Sequence, residues 1–148
     1  LVGHLAAWNY YQSVDTPQNK QFVANFKAYC KKNNLPDGDK RVTDDPIEAA
    51  YFGVYIWKQA VEKAGSAEVD KVRKAVYGSK FLAPGGEIMM DAANHHTYRP
   101  VLIGEILADG QFKVVSRSPG LVKPEPWSEF TNPDKGCDWV GHQGTYQK

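Results

Sequence analysis

Cysteine is scarce in this chain: 148 residues carry two, Cys30 and Cys137. Two are too few for a disulfide framework, which excludes the small secreted domains held together by cross-links instead of a core. A surplus of charge of either sign is also missing. The 18 Lys and Arg stand against 17 Asp and Glu, for a formal net charge of +1, and the basic residues are mixed with acidic ones. No basic stripe exists to release counterions from a phosphate backbone, so nucleic acid is excluded as a partner. A long hydrophobic run is lacking as well. The densest apolar stretch, Ala49 to Trp57, falls far short of the roughly 20 residues that a membrane-spanning helix requires. The chain begins at Leu1 without an initiator Met or a signal sequence, which predicts either a removed leader or an internal piece of something longer.

What is present is the composition of a folded body. Hydrophobic residues make up 42% and aromatics 12%, enough for one core at this length. Val2 to Tyr11 reads as a strand that runs into a turn at Ser13 to Pro17. Thr16 is a suitable N-cap and Pro17 fits the first helical position. Phe22, Val23, Phe26, Tyr29 and Cys30 then recur at helical spacing, giving an amphipathic helix that ends in the turn-rich stretch Asn33 to Asp39. A second helix is predicted from Asp45 as cap, Pro46 at the first position and Glu48 three residues after the cap. Because Ala49 to Trp57 is apolar nearly all round apart from Gly53, this helix is expected between layers, not on a surface. Gly65 stops it. Ser66 is expected to cap a third helix with Val69, Val72 and Val76 facing inward and Gly78 as its end.

After Gly78 the periodicity changes. Phe81-Leu82, Gly86 to Asp91 and Val101 to Leu107 read as short strands. Ala108-Asp109-Gly110 sits between two alternating segments as a hairpin turn. Beyond Ser116 the chain is rich in Pro, Gly and Trp and reads as a surface-wrapping tail. The order strand, three helices, then strands does not close a tidy α/β domain. A helix as apolar as the second needs a sheet to cover it, and the strands are few, which predicts a fragment of a larger fold.

Candidate chemistry is sparse. Asp91, His95 and His96 contain metal-ligand types, but adjacent histidines on an extended stretch point to opposite sides and chelate poorly, so no metal and no cofactor are expected. Cys30 faces inward on its helix, where a thiol behaves as a small hydrophobe, and nothing around Cys137 activates it, so a cysteine nucleophile is not expected. Gly85-Gly86 lacks the residues of a phosphate loop. Asp44 and Asp45 at the mouth of the second helix admit two readings, capping with a favourable helix dipole, or polar acceptors at a cleft. Small neutral amides offer several N–H donors and one carbonyl, and a site for them needs acceptors opposite a donor, with aromatic walls. Tyr10, Asp44, Asp45, Glu48 and Tyr51 could supply part of such a wall.

Several strings together resemble one family. They are Tyr10-Tyr11-Gln12-Ser13-Val14-Asp15-Thr16-Pro17, Val42-Thr43-Asp44-Asp45-Pro46-Ile47-Glu48-Ala49-Ala50-Tyr51, Asp91-Ala92-Ala93-Asn94-His95-His96-Thr97, the hairpin Ile103 to Phe112, and Pro124-Glu125-Pro126-Trp127-Ser128. Their order and spacing resemble the C-terminal part of urea and short-chain-amide binding proteins of ABC transporters. More distantly, they resemble branched-chain amino-acid binders and an amide-sensing regulator. The resemblance implies an α/β type I periplasmic-binding fold of two lobes, with this chain contributing to both. Crossings would lie near residues 9–12 and 100–103, residues 12–100 would form mainly one lobe, 103–115 would return to the other, and 116–148 would be a surface tail. The implied function is extracytoplasmic capture of urea or a short-chain amide for delivery to a membrane permease, without catalysis. Most ligand contacts would lie in an N-terminal part of the same protein. Thr43, Asp44, Asp45 and Glu48 are carried over as ligand-wall residues, and Cys30 and Cys137 either pair in an exported protein or stay separate. The alternatives are an amide-sensing regulator of the same fold, an amide-hydrolysing enzyme and a structural interaction module.

Overall fold

Caps and turns in the sequence fix most of the element boundaries. In this computed structural model, which describes residues 1–125, a first strand, β1 (Leu5–Trp8), precedes the helix α1 (Pro17–Lys32). Thr16 is the cap of α1: its side-chain oxygen accepts the Asn19 N–H at 3.0 Å. Asn19, Phe22 and Cys30 form the buried face of that helix. The long helix α2 (Asp45–Ala64) is closed by Gly65, whose φ of 60° is left-handed and cheap only for a residue without Cβ. The short α3 (Val69–Ala75) is followed by β2 (Lys80–Ala83), β3 (Gly86–Met90), β4 (Thr97–Tyr98), β5 (Leu102–Ile106) and β6 (Phe112–Arg117).

The strands form two separate antiparallel sheets, β1-β5-β6 and β2-β3-β4. In the first, Leu5 pairs with Glu105 and Trp8 with Leu102, and β5 continues through the predicted hairpin into β6, with Ile106 opposite Phe112. In the second, Lys80 pairs with Met89 and Ala83 with Gly86. Each sheet has its own core. Phe52 and Ile56 of α2 pack on Ala83 and Ile88 of the β2-β3-β4 sheet. Tyr11 and Val14 pack on Leu102, with Phe112 and Val114 beside them. Just beyond the paired ends of β1 and β5, Asn9 Nδ2 donates to the Pro100 carbonyl at 2.8 Å.

Four expectations change. The cap of α2 is Asp44, not Asp45: Asp44 is extended (φ −132°, ψ 179°) and its carboxylate accepts the Ile47 N–H at 3.0 Å. Asp45 is instead the first helical residue, drawn to an arginine described below. Likewise α3 is capped by Glu68, with Ser66 accepting the Glu68 N–H. Among the described residues α2 is not covered on all sides. Phe52, Ile56 and Ala60 are buried, but Val54 is 63% and Trp57 56% exposed. Val72 alone of the predicted inward stripe on α3 is buried; Val76 packs at the edge of the core and Val69 is exposed. Cys30 is fully buried. Cys137, and with it the possible pairing, lies outside the described residues, as do His142 and the tail from residue 126.

Candidate functional site

A cleft of about 290 Å³ opens between the β1-β5-β6 sheet and the N-terminal end of α2. Trp8 at the end of β1, Tyr11 between β1 and α1, and Phe112 at the start of β6 supply aromatic walls on one side. Val42, Thr43, Asp44, Asp45 and Pro46 face them, and Tyr10, Gln12, Gly110 and Gln111 complete the lining. Tyr11 and Phe112 stack with centroids 4.4 Å apart. Their approach depends on Gly104, since a Cβ there would lie 2.8 Å from the Tyr11 ring and 3.0 Å from Phe112.

Beneath this surface the polar groups are locked in place. The Tyr10 hydroxyl donates to Asn19 Oδ1 at 2.7 Å and lies 2.8 Å from the Thr43 hydroxyl. The Asn19 amide donates in turn to the carbonyls of Gln12 and Val14 at 2.8 and 2.7 Å. Gln12 Oε1 accepts the Thr43 N–H at 2.9 Å. The segment 10–14 is therefore bolted both to α1 and to the approach of α2. Burial pushes the Tyr10 phenol up to about 12, and the nearby Glu48 carboxylate adds to that shift. Two side-chain bonds tie this segment to the start of β6: the Gln12 amide reaches Gln111 Oε1 at 3.4 Å, and Ser13 Oγ donates to the Phe112 carbonyl.

Behind Asp45 lies a buried ionic cluster. Glu48 has no exposed surface and accepts from the Gly85 N–H at 3.0 Å and from Arg99 Nη2 at 2.5 Å. The same Nη2 is 2.8 Å from Asp45 Oδ1. That oxygen is buried but receives no aligned hydrogen bond, so the directional bond of the guanidinium goes to Glu48. Arg99 also lies over the Phe52 ring at 5.2 Å. Desolvation raises the Glu48 pKa, against the lowering effect of the Gly85 N–H and Arg99. A second arginine, Arg117 of β6, reaches across to donate to the Gly85 carbonyl at 3.2 Å.

The periplasmic binding protein domain model matches residues 1–133. This chain belongs to the periplasmic binding protein family. The fold is the type I fold of that family. A solute-binding protein of an ABC transporter from Rhodopseudomonas palustris HaA2, solved with p-hydroxybenzoic acid, superposes with a TM-score of 0.66 at 26% identity, covering 82% of this chain and 32% of its own. A Leu/Ile/Val-binding protein homolog 6 from Brucella abortus is 24% identical over 106 residues, 71% of this chain and 25% of that protein. A protein named limonene hydroxylase from Geobacillus stearothermophilus is 31% identical over 125 residues, 84% of this chain and 22% of that protein. The chain thus spans between about a fifth and a third of the length of these relatives.

Within this periplasmic binding fold the six wall residues expected from the sequence are not all in one place. Tyr10, Thr43, Asp44 and Asp45 line the cleft together. Glu48 sits one layer below it, on Arg99 and Gly85. Tyr51 stands outside it, in an aromatic row with Phe22 at 4.7 Å and Tyr55 at 4.8 Å. Its link to Tyr55, ahead of burial, pushes its phenol up to about 12. Trp8, Gln111, Phe112, Arg99 and Arg117 were not singled out from sequence. A hairpin pattern predicts where residues 111 and 112 turn, but no local signal marks them as a wall. Among the described residues no group of His, Cys, Asp and Glu is placed to hold a metal. Asp91 instead accepts the Ala93 N–H, and His95 stacks on Tyr77.

Proposed function

We propose that this chain is part of an extracytoplasmic solute-binding protein of an ABC importer, and that its cleft takes urea or a short-chain amide for delivery to a membrane permease. The two sheets then belong to two lobes: residues 12–100 form mainly one, the 103–115 hairpin returns to the other, and the paired segments around Asn9 and Pro100 are crossings between them. The rest of the ligand cavity comes from polypeptide outside this chain.

One observation carries the choice of ligand. The cleft is lined by two carboxylates and several amide or hydroxyl groups, while its twelve lining residues include no Lys, Arg or His. Such a wall offers acceptors to N–H donors and repels a carboxylate, which favours a neutral amide over an acid. The aromatic faces of Trp8, Tyr11 and Phe112 exclude water, as a small, poorly hydrated ligand needs. Closure of the lobes would bury the ligand without making or breaking a bond, so the reading includes no catalysis.

Calorimetric titration of the full-length protein with urea, acetamide, leucine and p-hydroxybenzoate tests this. Saturable heat with urea or acetamide alone is expected. Heat confined to leucine or p-hydroxybenzoate would overturn the amide assignment while leaving solute capture in place. Ammonia release from acetamide would overturn the transport reading in favour of a hydrolase.

A further inference from the structure

The ionic cluster behind the cleft has a feature that simple packing does not require. One guanidinium serves two carboxylates through a single nitrogen, and it serves them unequally. Arg99 Nη2 makes its aligned bond to the fully buried Glu48 at 2.5 Å, while Asp45 Oδ1, 2.8 Å away, receives charge but no directed hydrogen bond. Glu48 is itself fixed from the other side by the Gly85 N–H at 3.0 Å. This close approach depends on Gly85, since a Cβ there would lie 3.2 Å from Glu48 Oε1. Arg117 is likewise occupied, on the Gly85 carbonyl. Arg99 and Arg117 are thus held on Glu48, Asp45 and the Gly85 carbonyl, and Asp44 and Asp45 are the charged residues among those lining the cleft.

From this arrangement we infer that Glu48 is a positioning residue that sets the ligand class of the cleft: by holding the Arg99 guanidinium behind Asp45, it keeps the wall an acceptor of N–H groups. This rests on the reading of the cleft as a site for neutral amides. One guanidinium between two carboxylates leaves the cluster one negative charge in excess; without the Glu48 charge, Arg99, already 2.8 Å from Asp45, has that carboxylate as its one ionic partner and balances it fully. The wall then discriminates less against a carboxylate, because specificity is the difference between two affinities and the repulsive element has been removed.

Acetamide and acetate, nearly identical in shape and different in charge, are the probes, titrated into the full-length protein and its variants. Glu48→Gln keeps a carbonyl oxygen for the Gly85 N–H and removes the charge. It should lower the acetamide-over-acetate preference by about tenfold or more. In Glu48→Gln/Arg99→Gln neither charge remains, and the preference should return to the wild-type side. A purely structural role for Glu48 predicts the opposite pattern: both ligands weaken together in the single variant and the ratio stays fixed, which would overturn the inference. If Glu48→Gln does not fold, the double variant, which removes the Glu48 and Arg99 charges together, still decides, since a lost amide preference there would also overturn it. If the wild type binds neither acetamide nor urea, it is the amide reading of the cleft that fails.

Discussion

The two sheets are built from different reaches of chain and covered in different ways. The β2-β3-β4 sheet uses residues 80–98 and is packed by α2, which precedes it in sequence with only the short α3 between them. The β1-β5-β6 sheet joins residues 5–8 to residues 102–117, and its core is a small aromatic and aliphatic cluster around Tyr11 and Leu102. The first region is a locally assembled helix-on-sheet layer. The second depends on distant strands and on one close packing of Gly104 against two rings. The cleft is lined by the second region and by the N-terminal end of α2 from the first, so its geometry depends on both.

The largest change should come from the helix-covered side. Phe52→Ala removes a buried ring from the core with Ile56, Ala83 and Ile88, and the loss should be about 3–5 kcal/mol in denaturant unfolding. Two transitions, only one of them shifted, would show that the sheets unfold independently. Gly104→Ala strikes the other side, where the added Cβ meets the Tyr11 ring at 2.8 Å. Overpacking of this kind should cost about 1–3 kcal/mol, and a value near zero would mean that the aromatic pair yields easily.

Tyr10→Phe loses the hydroxyl shared by Asn19 and Thr43, a cost of about 1–2 kcal/mol at neutral pH. Because the folded-state pKa of Tyr10 is raised to about 12 from 10.0, its contribution is fully present below pH 10 and is lost as pH rises through 12. The phenylalanine variant should therefore show a flatter decline of stability over that window. Asp44→Ala removes the cap of α2 and should lower stability by about 1 kcal/mol. Smallest of all, Val54→Ser on the open face of α2 should stay within about 0.5 kcal/mol of wild type; a larger loss would mean that this face is covered in solution.

The element boundaries were legible in the sequence because their signals are local. Thr16, Pro17, Gly65 and the hairpin turn at Gly110 act within a few residues, and each does what its chemistry predicts. The site was less legible. With two aspartates in succession, Glu48 three residues after Asp45 and Pro46 between them, the capping pattern favours Asp45. The choice is overturned by Arg99, some fifty residues away in sequence, which draws Asp45 and Glu48 into one ion cluster. A single arginine before Pro100 carries no periodicity that would announce this. Tyr10 and Asp44 were grouped from the acceptors and aromatic walls that an amide site needs, and Thr43 joined them from the resemblance; the side-by-side placement of Tyr10 and Thr43 comes from the buried Asn19 network, whose links join residues far apart in sequence only through Thr43.

The pairing of Leu5–Trp8 with Leu102–Glu105 also has a consequence for the order of assembly. During synthesis the first strand leaves the ribosome long before its partner exists, and it stays an open edge until residue 105 has emerged. Closing so long a loop is slow and entropically costly. The helical layer can mature in the meantime, and β1 is recruited last, when the returning hairpin offers it a template. A chaperone or an aggregate that captured this waiting edge would compete with the step that completes the cleft.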